Sequence, residues 1–296
     1  MRDLRTCLEQ QVLVADGAIG TMLQSMGLPA GTAPELWNVE QPGHIRALHR
    51  AYLDAGSQVI LTNTFGANWS KLERAGRLGA RMQELNYAGV ALAREEAAGR
   101  AYVAGDMGPT GELMAPYGTL DYQEAVRIFG GQAQTLAASG ADLIWIETMS
   151  DLDEARAAIE GVRQATDLPV FCSLSFTRGG RTIMGVTPTQ AAEALWPLGL
   201  AAIGINCGEG IEIVTPVLTA MRTALPDAVL IAKPNAGLPH LENGETVFDL
   251  GPEAFARHVP HFVELSAQVI GACCGSSPAH IAAIAAALRT SSPKAL

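Results

Sequence analysis

The chain has 296 residues, 48% of them hydrophobic and 17% charged, with a formal net charge of −10. That length supports a sizeable core without disulfides, and the acidic balance, with no basic stripe to neutralise phosphates, argues against nucleic acid as a partner. No apolar run reaches the ~18 residues of a membrane helix. Arg2, Asp3, Arg5 and Glu9 are followed by no apolar leader stretch, so a cytoplasmic protein is expected.

Short apolar runs rich in Val and Ile recur along the chain: Val12–Ala15, Gln58–Leu61, Ala101–Ala104, Leu143–Ile146, Pro169–Leu174, Ala202–Ile205, Val229–Ala232 and Gln268–Gly271. They are continuous rather than alternating, as expected for strands buried on both faces. Between them the spacing predicts helices over His44–Ala55, Arg81–Ala97, Asp121–Ala138, Asp151–Ala165 and Ile211–Ala224. Pro188, Pro252 and Pro278 suit the first turns of three more. Strand–helix units repeating without a break in composition predict an α/β fold, a single (β/α)8 TIM barrel over residues 1–290. Spacing alone leaves a doubly wound sheet open. Residues 291–296 (Ser-Ser-Pro-Lys-Ala-Leu) are expected to form a flexible tail.

After the first run the chain reads Asp16-Gly17-Ala18-Ile19-Gly20, which lacks the first two glycines of a dinucleotide-binding turn. Asp16, Asn63, Asp106, Glu147, Asn206, Cys207, Asn235, Cys273 and Cys274 all lie just past the predicted strands. In a barrel such residues gather at one rim, where barrel active sites form.

Five cysteines is an odd number for a disulfide framework. Cys7 and Cys172 read as small buried hydrophobes. Cys273 and Cys274 are adjacent, so they can share a metal only where a strand ends and the backbone turns, which Gly271 and Gly275 permit. Cys207 precedes Gly208 at the end of a strand one removed from theirs. Three thiolates with an open fourth position suit zinc; a substrate thiol entering there would lose its proton yet stay nucleophilic. A purely structural zinc would need a fourth protein ligand, usually at C-x-x-C spacing, and none occurs; a strained vicinal disulfide is the other alternative.

Gly271-Ala272-Cys273-Cys274-Gly275, Asn206-Cys207-Gly208, Asp16 to Thr21 and Ile146-Glu147-Thr148 together resemble the homocysteine S-methyltransferase family, from about Leu13 to Leu288. Thr62-Asn63-Thr64-Phe65, Gly105 to Gly111 and Lys233 to Pro239 are similar to its branch of homocysteine-binding modules from cobalamin-dependent methionine synthases. The resemblance implies that Cys207, Cys273 and Cys274 bind Zn2+ and that Asp16 and Glu147 hold the ammonium of homocysteine. It also implies that the backbone at Gly17 and Ala18 receives the carboxylate, and that Asn235 approaches zinc when substrate is absent.

Asn63 and Asp106 either line the substrate and donor side or hold loops. Phe65, Met107 and Tyr117 either face the donor or plug the mouth. Trp37 is expected in a loop; Met22 and Met26 are expected to pack. No Asp-x-His-x-x-Gly corrinoid signature occurs, so the methyl donor is expected from outside, a methylcobalamin or related methylcorrinoid on a separate protein. S-methylmethionine or betaine is the alternative donor, and a non-catalytic thiol-binding subunit of a corrinoid system the alternative role.

Overall fold

The computed structural model describes residues 3–242 and 245–291. Its main sheet comprises β1 (Leu13–Val14), β2 (Val59–Leu61), β3 (Tyr102–Met107), β4 (Leu143–Met149), β5 (Val170–Leu174), β6 (Ala202–Cys207), β7 (Leu230–Pro234) and β8 (Ala267–Ile270). These eight strands are parallel, in the order β1-β8-β7-β6-β5-β4-β3-β2. The two ends of that order meet through one parallel bridge, Ala15 to Val59. Gln58 N–H donates to the Val14 carbonyl at 2.7 Å, and Asp16 N–H to that of Val59 at 3.0 Å. The result is the expected (β/α)8 barrel. The tail expected from residue 291 lies, beyond Ser291, outside the described residues.

Period-two alternation divides each strand between two cores. Leu13, Val59, Tyr102, Leu143, Trp145, Phe171, Ala202, Ile231 and Val269 form the filled barrel interior. Leu4, Cys7 and Leu8 join that cluster from the helix Leu4–Gln10, which Asp3 caps by accepting from Thr6 N–H at 3.1 Å. The intervening residues, such as Ile144, Ile146, Ile203 and Ile205, pack outward against the helices. Cys172 lies in that outer layer, where burial pushes its thiol up to about 12.

The long helices are Pro42–Asp54, Met82–Ala97, Tyr122–Ala138, Leu152–Ala165, Val214–Ala224 and Pro278–Ser291. Asp121 and Asp151 cap two of them, each accepting from two backbone N–H groups. The sequence-based expectation differs in several places: β3, β4 and β6 run on two or three residues further, so that Asp106, Glu147, Asn206 and Cys207 end these strands rather than following them. Trp37 is not in a loop: it opens a short helix, Trp37–Glu40, and is buried with its ring 4.8 Å from that of His44. Val214–Ala224 starts three residues later than Ile211, from which it was expected. An antiparallel hairpin, Pro239–Glu242 with Glu245–Phe248, follows β7 without a counterpart in the predicted elements. Met22 and Met26 pack against the core. Among the described residues no helix is long and apolar enough to cross a membrane.

His49, on Pro42–Asp54, is fully buried, and neither ring nitrogen has a hydrogen-bond partner. Burial pushes its pKa down from 6.5 to about 4, against the weaker pull of Glu96. Between those values the unfolded chain binds the proton and the native one does not, so stability falls as pH drops from 6.5 towards 4. The loss expected is about 3 kcal/mol. Denaturant melts of a His49→Leu variant should lack that part of the pH slope; an unchanged slope would exclude His49 as its source.

Candidate active site

The alternation that fills the barrel also builds its mouth. Two residues beyond Leu61, Ala104, Trp145 and Ile231 on the same inward rows stand Asn63, Asp106, Glu147 and Lys233, and on the rows of Ala202 and Val269 stand Asn206 and Cys273. The apolar interior thus ends in a polar layer at the C-terminal ends of the strands. Above it opens a cavity of about 440 Å³ whose lining includes Gly17, Ala18, Asn63, Phe65, Asp106, Glu147, Cys207, Lys233, Cys273 and Cys274.

The three cysteine sulfurs all lie within 4.8 Å of one another, Cys207 and Cys274 at 4.0 Å. Cys207 turns inward because its own φ is +57° and that of Gly208 +80°, a reversal at the tip of β6. Cys274 is brought beside Cys273 by the turn at Gly275, φ +78°. A Cβ on Gly275 would sit 2.1 Å from the Phe248 ring of the hairpin, so glycine is needed for both conformation and space. Gly275→Ala should cost about 2–4 kcal/mol and weaken metal retention, read from melting and from zinc content after dialysis. Wild-type values in both would remove the turn from the argument.

Hydrogen bonds from the other two thiols hold Cys207 down to about 3, while donating to it pushes Cys273 up to about 11 and Cys274 higher still. A cation shared by the three sulfurs suits the donor set, since tetrahedral zinc with Zn–S of about 2.3 Å requires sulfurs about 3.8 Å apart. Asn206 supports the cluster, with Nδ2 3.9 Å from the Cys273 sulfur, 2.7 Å from Thr148 Oγ1 and 3.4 Å from Glu147 Oε2.

Asp16 and Glu147 converge on Lys233, whose Nζ lies 3.8 Å from Asp16 Oδ1 and 3.8 Å from Glu147 Oε2. Asp16 is fully buried and does not line the cavity; its Oδ2 accepts from Leu61 N–H at 2.8 Å, while Oδ1 has no hydrogen-bond partner. Burial, against the opposing pull of Lys233, leaves both carboxyls raised to about 7. Burial and the charge of Glu147 hold Asp106 well above the usual carboxylate range, and its Oδ1 is also unpartnered. Burial works against the charge of Lys233, but Glu147, Cys273, Asp16 and Asp106 outweigh it and keep the ammonium protonated.

At the glycine turn, Ala18 N–H donates to Ser276 Oγ at 2.9 Å and the Ala18 carbonyl accepts from Tyr52 at 2.6 Å. Gly17 lies so close that a Cβ would be 2.7 Å from the Ser276 hydroxyl. Asn63 lines the cavity, but its side-chain amide is held by the Pro34 carbonyl (2.8 Å) and Asn38 (2.9 Å). Asn235 donates to the Gly208 carbonyl at 2.8 Å, and its own side-chain oxygen is buried and unpartnered. Phe65 lines the cavity beneath the Lys71 ammonium, 4.3 Å from the ring centroid. Met107 is buried in the core, and Tyr117 is exposed.

Residues 13–288 match the family model described as homocysteine S-methyltransferase. The chain belongs to the homocysteine S-methyltransferase family. A methionine synthase of Mycobacterium tuberculosis is 33% identical over 97% of this family member, and one of Mycobacterium leprae 32% over 97%. The chain spans only a quarter (25%) of the length of each. Among solved structures, the metallated form of the homocysteine methyltransferase MmuM from Escherichia coli superposes with a TM-score of 0.82 and 25% identity, covering 96% of this chain and 99% of that one. Its oxidised form gives 0.78 and 27%, covering 97% and 99%.

Sequence reasoning for this family member missed Lys233 and Ser276 as site residues, and placed Asn206 at the rim without its supporting role. The signal for Lys233 was present, a lysine two residues beyond Ile231 at the end of an apolar strand. Only the barrel's closure reveals which acids it faces.

Proposed function

We propose that the chain methylates the thiol of homocysteine to give methionine, using zinc held by Cys207, Cys273 and Cys274. The observation that carries this reading is that three sulfurs and the Glu147 carboxylate line one cavity, with Asp16 buried beside Lys233. Bound there, zinc would lower the pKa of an incoming thiol into the neutral range. Glu147 and Asp16 would bind the substrate's ammonium by charge, and the Gly17–Ala18 turn, braced by Ser276 and Tyr52, would seat its carboxylate. Asn206 orients Glu147 and Cys273 together, so the amino acid and the sulfur cluster share one support. In this reading Asn235 is free to approach the metal when substrate is absent, and Asp106 and Asn63 form the wall facing the donor. Three unpaired thiols suit a reducing, cytoplasmic setting.

The donor in this reading is a methylcorrinoid on a separate protein, a reading that rests on the resemblance of Gly105–Gly111 and Lys233–Pro239 to the cobalamin-linked branch of the family. Exposed Trp69, Leu113, Tyr117, Ile183 and Leu241, all on segments that follow barrel strands, suit the approach of a large donor. The alternative donor is a small molecule such as S-methylmethionine or betaine, and one assay separates the two. The test incubates zinc-loaded protein and homocysteine with methylcobalamin, S-methylmethionine or betaine and measures methionine. Turnover with methylcobalamin alone is expected. Turnover with S-methylmethionine alone would replace the first reading by the second, and none with any donor would leave a thiol-binding subunit.

A further inference from the structure

Lys233 is the feature of the cavity that no role described above uses. Its side chain is 3% exposed and lines the cavity from β7, while the two acids it meets come from the tips of β1 and β4, strands that are not its neighbours in the barrel. Among the described residues no other cation lies within 4.0 Å of Asp16 or Glu147. Asp16 is fixed on one side only: Oδ2 is held by Leu61 N–H, and Oδ1 faces Lys233 with no hydrogen bond. Glu147 is likewise held only loosely by Asn206, at 3.4 Å. Without a cation between them, two buried carboxylates aimed at one point either move apart or take up a proton, and in both cases the paired charges are lost.

We propose that Lys233 is a positioning residue, whose ammonium draws the Asp16 and Glu147 carboxylates together into the arrangement that receives the α-ammonium of an amino-acid thiol. This rests on the reading that those two acids bind the substrate's ammonium. Lys233 acts through them and touches neither the sulfur nor the methyl group.

The test compares zinc-loaded wild type, Lys233→Met, Lys233→Arg and Glu147→Gln for calorimetric binding of homocysteine and of 4-mercaptobutanoate, which keeps the thiol and carboxylate but lacks the amino group. Zinc content and melting temperature are read alongside. Lys233→Met should lose about tenfold or more in homocysteine affinity, with 4-mercaptobutanoate binding and zinc content unchanged. Lys233→Arg, which retains the charge, should recover part of that loss; should Lys233→Met not fold, the same contrast between the two thiols is read on Lys233→Arg against wild type. Equal loss of both thiols would overturn the proposal by making Lys233 a carboxylate contact or a plain structural residue, as would undiminished homocysteine binding. Glu147→Gln separates the two levels: if it too binds homocysteine normally, the ammonium reading itself has failed, whereas if it does not and Lys233→Met does, only the positioning role is lost.

Discussion

Cys273→Ser is expected to reduce zinc from about one ion per chain to near zero and to lower methionine formation by roughly a thousandfold or more, while the protein stays folded. Serine nearly matches cysteine in size, and Cys273 ends the inward row of β8, above rather than within the packed interior. The packing cost is therefore small, and the effect falls on the metal. Three sulfurs within 4.8 Å form one unit, so removing any one leaves two ligands, too few to hold zinc against water. Cys172→Ala provides the contrast, because that thiol sits in the outer core and should be lost with full zinc retained. Elemental analysis after dialysis decides it. Full zinc in Cys273→Ser would remove the cluster as the metal site, and the proposed chemistry with it.

The second large effect is expected at Glu147. Glu147→Gln keeps the shape and the approach of Asn206 but deletes the charge. A charge-assisted contact to the substrate's ammonium is worth about 1.5–3 kcal/mol, so KM for homocysteine should rise about 10- to 100-fold. The methyl-transfer step needs no base once the thiol has lost its proton, so kcat should fall by less than about threefold. A variant with its loss mainly in kcat would reassign Glu147 to the transfer step. Asp16→Asn is a less clean probe, because Asp16 Oδ2 also accepts from Leu61 N–H and the change disturbs barrel closure.

Local pattern made much of this legible. Continuous runs of Val and Ile marked strands covered on both faces, and the residues just past them proved to share one rim, because alternation in a closed sheet sends every second side chain to the same axis. The pair Cys273-Cys274 announced a turn, since adjacent side chains on a straight strand diverge. What stayed hidden depends on contacts distant in sequence. Lys233 reads as an ordinary lysine after an apolar run until β1 and β4 stand opposite it. Asn63 reads equally as a site residue or a loop holder, and its amide is held by Pro34 and by Asn38 of the helix Trp37–Glu40. Trp37 reads as a loop residue, whereas it opens a short helix that tertiary packing buries. The hairpin after β7 had a local signal, the Asn243-Gly244 dipeptide, a pair favoured between antiparallel strands.

The seam between β1 and β2 has a further bearing on how this molecule works. A ring of eight staves is joined there by one bridge and a few hydrogen bonds, and Asp16 belongs to the joint while its Oδ1 faces Lys233, which lines the pocket. Its backbone N–H grips Val59 and its Oδ2 grips the amide of Leu61, while Oδ1 is left for charge partners. Whatever ligand steadies that carboxylate also tightens the weakest stave junction, and whatever loosens the junction swings the carboxylate out of line. Occupancy and hoop integrity are two readings of one equilibrium.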